Sequence, residues 1–212
     1  KNNIIIEQPR PVIENLNDKK RPLWELFDVE EYVKSAQNLI NKRWLDWKQY
    51  RVFPINSVRG CPYRCTFCSN SYYYEFNPIR RYSADYVINM MKHLNEMFGI
   101  DYFRFWDELS FNHKKEANLL LDAIIESGLK VKMEFTVRVG LLNEDDIELA
   151  NKFKKAGTVQ LNYALESGSQ VILEAMNKKI EPEWFVSQKK ILDQVGINSG
   201  TCIVLGYPQE TK

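Results

Sequence analysis

The sequence predicts an α/β fold organised on a parallel sheet, and three observations carry that expectation. From Arg51 onward, short apolar or aromatic runs alternate with stretches of helical period. Glycines at 99, 128, 157 and 196 stand where the helical stretches should stop. Polar residues recur at the C-terminal ends of the strand-like runs. Regular alternation of this kind implies right-handed βαβ units, either in an open doubly wound sheet or in a barrel.

Residues 1–50 read as a linker or N-terminal extension, and residues 51–212 as the core. Two polar, proline-containing segments, Gln8-Pro9-Arg10-Pro11 and Asn17-Asp18-Lys19-Lys20-Arg21-Pro22, mark the extension. Within it, residues 28–39 suit a short helix with Tyr32, Ala36 and Leu39 on its apolar side. Residues 52–58 form the predicted first strand, which enters a cysteine-rich loop through Gly60. Ser83 is placed to cap a helix reaching Met97, with Val87, Met90, Met91 and Leu94 turned inward. Residues 102–106 give the second strand, ending at Asp107-Glu108. Asn112 should cap a helix to Ser127, and residues 131–137 give the third strand, ending at Arg138. Asn143 should cap a helix over 144–156, with Glu144, Asp145 and Asp146 in the first turn, where the helix dipole favours acids. Residues 159–165 give the fourth strand, ending at Glu166-Ser167-Gly168. One or two helices fill 170–195, with Pro182 at a helix start. Residues 199–205 give the fifth strand, ending at Gly206-Tyr207-Pro208. In both architectures ligands bind at the C-terminal edge of the strands. The cysteine loop, Asp107-Glu108, Arg138, Glu166-Ser167 and Gly206-Tyr207 should therefore converge. A closed barrel needs more strands than these, so the core reads as incomplete at its C-terminus and the chain as a piece of a longer protein.

Charge and hydropathy narrow the function classes. With 29 basic and 28 acidic residues the net charge is +1, which gives no bulk electrostatic reason to expect a nucleic-acid partner. No apolar run approaches the ~18 residues of a membrane span, and no signal-peptide core opens the chain. The expectation is a soluble, cytoplasmic protein with no membrane contact.

Three of the four cysteines, Cys61, Cys65 and Cys68, lie within eight residues. Such clustering does not suit a disulfide framework, and a reducing compartment would keep the thiols for metal. Three soft ligands on one short loop can hold three irons of a cubane cluster and leave the fourth without a protein ligand. A disulfide within the loop and a structural zinc site are the competing readings. His93 and His113, both on predicted helices, are poorly placed to complete a zinc site. Cys202, on an apolar strand, is expected to be a small core residue. Taken singly, Asp107, Glu108, Arg138 and Glu166 suit surface ion pairs as well as a site, and their shared place at strand ends favours the site. Tyr72, Tyr73 and Tyr74 would serve a substrate platform or simple packing of the loop.

The run Cys61-Pro62-Tyr63-Arg64-Cys65-Thr66-Phe67-Cys68, after a strand, resembles the signature of the radical S-adenosylmethionine enzymes. Three further runs are similar to the branch that often carries an N-terminal cobalamin-binding domain: Val58-Arg59-Gly60-Cys61-Pro62, Ala164-Leu165-Glu166-Ser167-Gly168-Ser169-Gln170, and Gly206-Tyr207-Pro208-Gln209-Glu210-Thr211. The resemblance covers nearly the whole chain. It implies a partial (β/α) TIM-like barrel, here truncated after about five strands. It also implies a 4Fe-4S cluster on Cys61, Cys65 and Cys68, reductive cleavage of S-adenosylmethionine to a 5′-deoxyadenosyl radical, and an enzyme of transferase or oxidoreductase type whose substrate is unknown. Phe67 would pack beside the adenine. Asp107 or Glu108 would bind the methionine ammonium, although the glycines of the family's motif are missing. Arg138 would bind the carboxylate, Glu166 or Ser167 the ribose, and Leu205, Gly206 and Tyr207 would line the adenine. Implied partners are a reductant such as flavodoxin or ferredoxin and a cobalamin-binding domain outside these residues. A non-catalytic iron-sulfur or metal-binding module and a methylthiotransferase-like enzyme are the alternatives.

Overall fold

The computed structural model describes residues 12–39, 46–72 and 78–211. Five parallel strands form one sheet in the order β1 (Val52–Ile55), β4 (Tyr102–Phe105), β5 (Lys132–Val137), β6 (Thr158–Glu166), β7 (Asn198–Ile203). A small antiparallel pair, β2 (Val58–Arg59) with β3 (Arg80–Arg81), stands beside it. The helices are α1 (Val29–Leu39), α2 (Ser69–Tyr72), α3 (Ala84–Phe98), α4 (Lys114–Glu126), α5 (Ile147–Ala156), α6 (Gln170–Ala175) and α7 (Pro182–Val195).

The strand order decides between the two architectures that alternation allows. A doubly wound sheet reverses its order near the middle, whereas these strands follow one another across the sheet in chain order. Right-handed crossovers in an unreversed order place every helix on the same face, which is the winding of a barrel wall. Accordingly α3, α4, α5 and α7 pack side by side in sequence. The fold is the α/β partial barrel that the sequence predicts.

The core lies between that helix layer and one face of the sheet. Phe53, Phe103, Phe105, Met133, Phe135, Leu161 and Tyr163 point into it from the strands, and Met91, Leu94, Leu121, Ile124, Phe153 and Leu192 meet them from the helices. Phe105 and Phe135 stack across adjacent strands with centroids 4.3 Å apart. Burial of these aromatic and aliphatic groups is the main driving force for the layer. The opposite face carries polar groups, including the Arg104–Glu134 ion pair and Tyr102, whose hydroxyl donates to Glu134 Oε2 at 3.3 Å.

Most predicted elements are present, with several corrections. The first strand ends at Ile55, and the chain bends at Asn56-Ser57 before β2, because the Ser57 and Val58 N–H groups turn to a side chain. His113, not Asn112, is the N-cap of α4, and the Glu116 carboxylate reaches back to accept its N–H at 3.1 Å. Helix α5 starts at Ile147, because the Asp146 carboxylate accepts the Asn143 N–H and the Asn143 side-chain oxygen accepts the Asp145 N–H in a turn instead. Glu144 and Asp145 thus precede the helix, and Asp146 stands at its N-cap. In α1 the buried residues among those described are Val29 and Val33, whereas Tyr32 is exposed and the Leu39 side chain lies outside the described residues. Cys202 is exposed rather than in the core: β7 is the last strand of the sheet, and its outer flank has no neighbouring strand among the described residues. Tyr73, Tyr74, the Tyr72 side chain and the segment Gln8-Pro9-Arg10-Pro11 lie outside the described residues. No helix among the described residues is long and apolar enough to cross a membrane.

Part of the N-terminal extension packs on the core. Trp24 meets the Phe53 ring edge-on at 5.2 Å, and Asn17 Oδ1 accepts from the Ser83 N–H at the start of α3.

At the end of α5 the chain turns through Gly157, whose φ of 102° is in the left-handed region, and an added Cβ would stand 2.2 Å from the Val131 carbonyl oxygen. Backbone strain and a backbone clash act together there, so Gly157→Ala should destabilise the fold by roughly 2–4 kcal/mol. Urea unfolding followed by circular dichroism would read the loss as a lower midpoint.

Candidate cofactor site

The cysteine loop leaves the sheet at the C-terminal end of β1, and the first group that shapes it is Asp107. Its Oδ1 accepts the N–H groups of Ser57 and Val58 at 2.7 and 3.0 Å, and its Oδ2 accepts the Ser57 hydroxyl at 2.7 Å. Asp107 is buried, and burial raises its pKa from the usual aspartate value while these hydrogen bonds pull it back. Its oxygens are thus committed to the turn that aims the chain at Gly60. Glu108, its neighbour, is exposed.

Within the loop Cys65 is buried, with 7% of its surface exposed, and Cys61 and Cys68 are partly buried. All three are free thiols. Burial pushes the Cys61 thiol up, and a bond from the Tyr63 backbone and the positive charge of Arg138 oppose that rise. Among the described residues no three His, Cys, Asp or Glu side chains converge on one point that would hold a single ion. A cubane cluster makes no such demand, since each cysteine ligates a different iron.

Arg138 leaves the end of β5 and lies over Tyr63, its guanidinium carbon 3.6 Å from the ring centroid. Its Nη2 is buried with no hydrogen-bond partner among the described residues. A half-buried cation with a buried, unmet donor, near Cys61, suits an anionic group at this point, whether a carboxylate or a thiolate-ligated cluster.

On the other side of the loop stands the end of β6. Glu166 is buried and has a left-handed backbone, φ 71°, rare for a residue with a side chain. Such strain gathers at ligand sites. Its carboxylate pairs with the buried Lys178, Nζ to Oε1 3.3 Å, and the same Nζ lies 5.6 Å from the centre of the Phe67 ring. Ser167 is buried, and its hydroxyl accepts from the Ser169 N–H at 3.1 Å. Tyr207 reaches back from beyond β7, its hydroxyl 2.7 Å from Thr66 Oγ1. Leu205 is 84% exposed, and Gly206 turns with φ 81°.

The structure therefore brings together Cys61 with Arg138, and Phe67 and Thr66 with Glu166, Lys178 and Tyr207. Asp107 supports the loop from beneath. Lys178, Tyr63 and Thr66 were not singled out by the sequence reading. Tyr63 and Thr66 sit between the cysteines, where the spacing of the thiols demands no residue type, and Lys178 follows a short helix rather than a strand.

The family model described as the Radical SAM superfamily matches residues 55–212. An uncharacterized methyltransferase of Pyrococcus horikoshii is 28% identical over 206 residues, 97% of this chain and 41% of that protein. The anaerobic magnesium-protoporphyrin IX monomethyl ester cyclase of Rubrivivax gelatinosus is 26% identical over 208 residues, 98% of this chain and 35% of that protein. The chain thus spans less than half the length of these relatives. Among solved structures, the radical S-adenosylmethionine methyltransferase TsrM of Kitasatospora setae, with cobalamin and a [4Fe-4S] cluster bound, superposes with a TM-score of 0.64. It is 18% identical, over 76% of this chain and 30% of that one. The cobalamin-dependent S-adenosylmethionine radical enzyme OxsB gives 0.60 at 18% identity, over 72% of this chain and 23% of that one. At these identities the structural likeness speaks for the fold.

Replacing Asp107 by Ala would strand two buried N–H groups and a hydroxyl. The expected cost is about 2–4 kcal/mol of stability, measurable by denaturant titration of the metal-free chain.

Proposed function

The chain belongs to the Radical SAM superfamily, a family of enzymes, and from that premise we propose that its loop holds a 4Fe-4S cluster through Cys61, Cys65 and Cys68 and binds S-adenosylmethionine beside it. The observation that carries this reading is the orphaned Nη2 of Arg138 beside Cys61. When bound, the cluster and S-adenosylmethionine supply an electron and a carbon–sulfur bond whose reductive cleavage yields methionine and a 5′-deoxyadenosyl radical.

The residues of this chain bind and orient. Arg138 donates to the methionine carboxylate, a charge-assisted bond in a half-buried place where such bonds count for more than in water. Glu108 serves the ammonium, because Asp107 is already committed to Ser57 and Val58. Glu166 and Ser167, at the end of β6, face the ribose, with Lys178 holding the Glu166 carboxylate in place. Phe67 offers a partly exposed ring to the adenine, with Leu205, Gly206 and Tyr207 on the far side.

The net reaction we propose is a radical methyl transfer or a related carbon-centred conversion, with cobalamin bound by a further domain of the whole protein. Two kinds of relative support it, methyltransferases and a cyclase by sequence and cobalamin-dependent enzymes by fold. A flavodoxin- or ferredoxin-type donor would deliver the electron.

Anaerobic reconstitution tests the reading. Wild-type protein should take up about four irons per chain, and Cys65→Ala should lose the intact cluster. Added S-adenosylmethionine should alter the electron paramagnetic resonance spectrum of the reduced cluster, and 5′-deoxyadenosine should form. A spectrum indifferent to S-adenosylmethionine would instead identify a non-catalytic iron-sulfur module. Arg138→Met should keep the iron but weaken S-adenosylmethionine binding roughly 10- to 100-fold, the worth of one charged hydrogen bond, as read by equilibrium dialysis.

A further inference from the structure

A short helix leaves its last carbonyls without partners, and they must be met from elsewhere. At the C-terminal end of α6 the carbonyls of Ala175 and Met176 are met by the cysteine loop, more than 100 residues away in the chain. The Thr66 N–H donates to Met176 O at 3.0 Å, and the Thr66 hydroxyl donates to Ala175 O at 3.2 Å. The exchange is reciprocal, because Asn177 Nδ2 donates to Arg64 O at 2.7 Å. Tyr207 completes the group, its hydroxyl 2.7 Å from Thr66 Oγ1 and 3.2 Å from Ala175 O. Two hydroxyl protons serve these three contacts, and either hydroxyl can be the donor between Thr66 and Tyr207.

The position of this group in the chain matters more than its energy. Thr66 lies between Cys65 and Cys68 and next to Phe67, so whatever holds Thr66 holds two of the thiols and the ring. The partner segment, residues 175–178, continues directly to Lys178, which pairs with Glu166 and faces Phe67. Asn177 and Lys179 have left-handed backbones, φ 51° and 53°, so this segment is turned against its local preference toward the loop. Tyr207 ties the same point to the chain beyond β7. Simple docking of a loop would need none of this convergence on one residue.

We propose that Thr66, Asn177 and Tyr207 are positioning residues, a clamp that sets the cysteine loop in register with Glu166 and Lys178. The clamp fixes where the thiols stand relative to the groups at the end of β6, and it restricts opening of the loop around Cys65. Its consequence for a bound cluster rests on the function proposed above, whereas its consequence for the thiols does not.

The test has two arms on the whole chain. In the reduced, metal-free protein, iodoacetamide labelling of each cysteine is followed by peptide mass spectrometry. Cys202, already exposed, serves as the internal reference for reagent and thiolate reactivity, and urea unfolding of each variant checks that the fold is intact. The double variant Thr66→Val, Asn177→Gly removes the Thr66 hydroxyl with its contacts to Ala175 O and Tyr207, and the Asn177–Arg64 bond, while Tyr207 can still donate to Ala175 O; glycine at 177 keeps the left-handed turn without strain. Labelling of Cys65 should accelerate roughly tenfold in that variant, the effect of losing about two hydrogen bonds that resist opening, with the Cys202 rate unchanged. Thr66→Ser, which keeps the hydroxyl, should label as wild type does. In the second arm, reconstituted Tyr207→Phe and Asn177→Gly should keep wild-type iron content. Their reduced clusters should show a displaced midpoint potential and an altered resonance spectrum, whereas Thr66→Ser should match wild type in both. Equal Cys65 labelling in the double variant and wild type would overturn the clamp. So would spectra and potentials that coincide in all loaded variants. If wild-type protein takes up no iron, the cluster reading fails instead, and the labelling arm alone decides the clamp.

Discussion

A strand that stops at the edge of a parallel sheet leaves its next N–H groups to find partners off the sheet, and at the end of β1 they find the carboxylate of Asp107. Two backbone donors and the Ser57 hydroxyl converge on it. Because Asp107 itself stands just beyond β4, the bend that launches the cysteine loop is tied to the neighbouring strand. Everything the loop later meets depends on that aim. A loop leaving at another angle would carry Cys61 away from Arg138 on β5 and Thr66 away from α6. The buried carboxylate is best understood as a support, since its hydrogen bonds compensate for its removal from water.

The winding of the sheet supplies the second condition. Unreversed strand order and right-handed crossovers leave all helices on one face, so the ends of β1, β4, β5, β6 and β7 form one continuous rim. Groups far apart in sequence become neighbours along that rim. Arg138 stacks on Tyr63 from one side of the loop, and Lys178, Phe67 and Tyr207 gather on the other. The rim thus sets Arg138 with Tyr63 on the Cys61 side, and the Lys178–Glu166 pair with Phe67 and Tyr207 on the other.

Much of this was legible in the sequence, for reasons that can be named. Ser83, Gly99, Gly157 and Gly196 act locally, by a side-chain cap or a left-handed turn, and each stands where its chemistry placed it. The misplaced starts of α4 and α5 have the opposite cause. At Asn112-His113 and at Asn143 to Asp146 several side chains compete for the same few N–H groups, and only the packed chain shows which one wins. Cys202 was misread because an apolar strand was assumed to be covered on both sides.

What the sequence determined by itself is the chemistry on offer: three thiols on one loop and a polar residue at each strand end, within an alternation that forces a parallel sheet. These are matters of residue type, spacing and local backbone preference. The tertiary structure decided which of the polar groups face the thiols. It withdrew Asp107 into a supporting role, and it gave Arg138 an aromatic seat and an unmet donor. It also brought in Lys178 and Asn177, which no period or motif marks, because the end of a six-residue helix needs partners and the cysteine loop is where they are. Contacts across more than a hundred residues are set by how layers pack, and packing is a property of the whole chain rather than of any stretch of it.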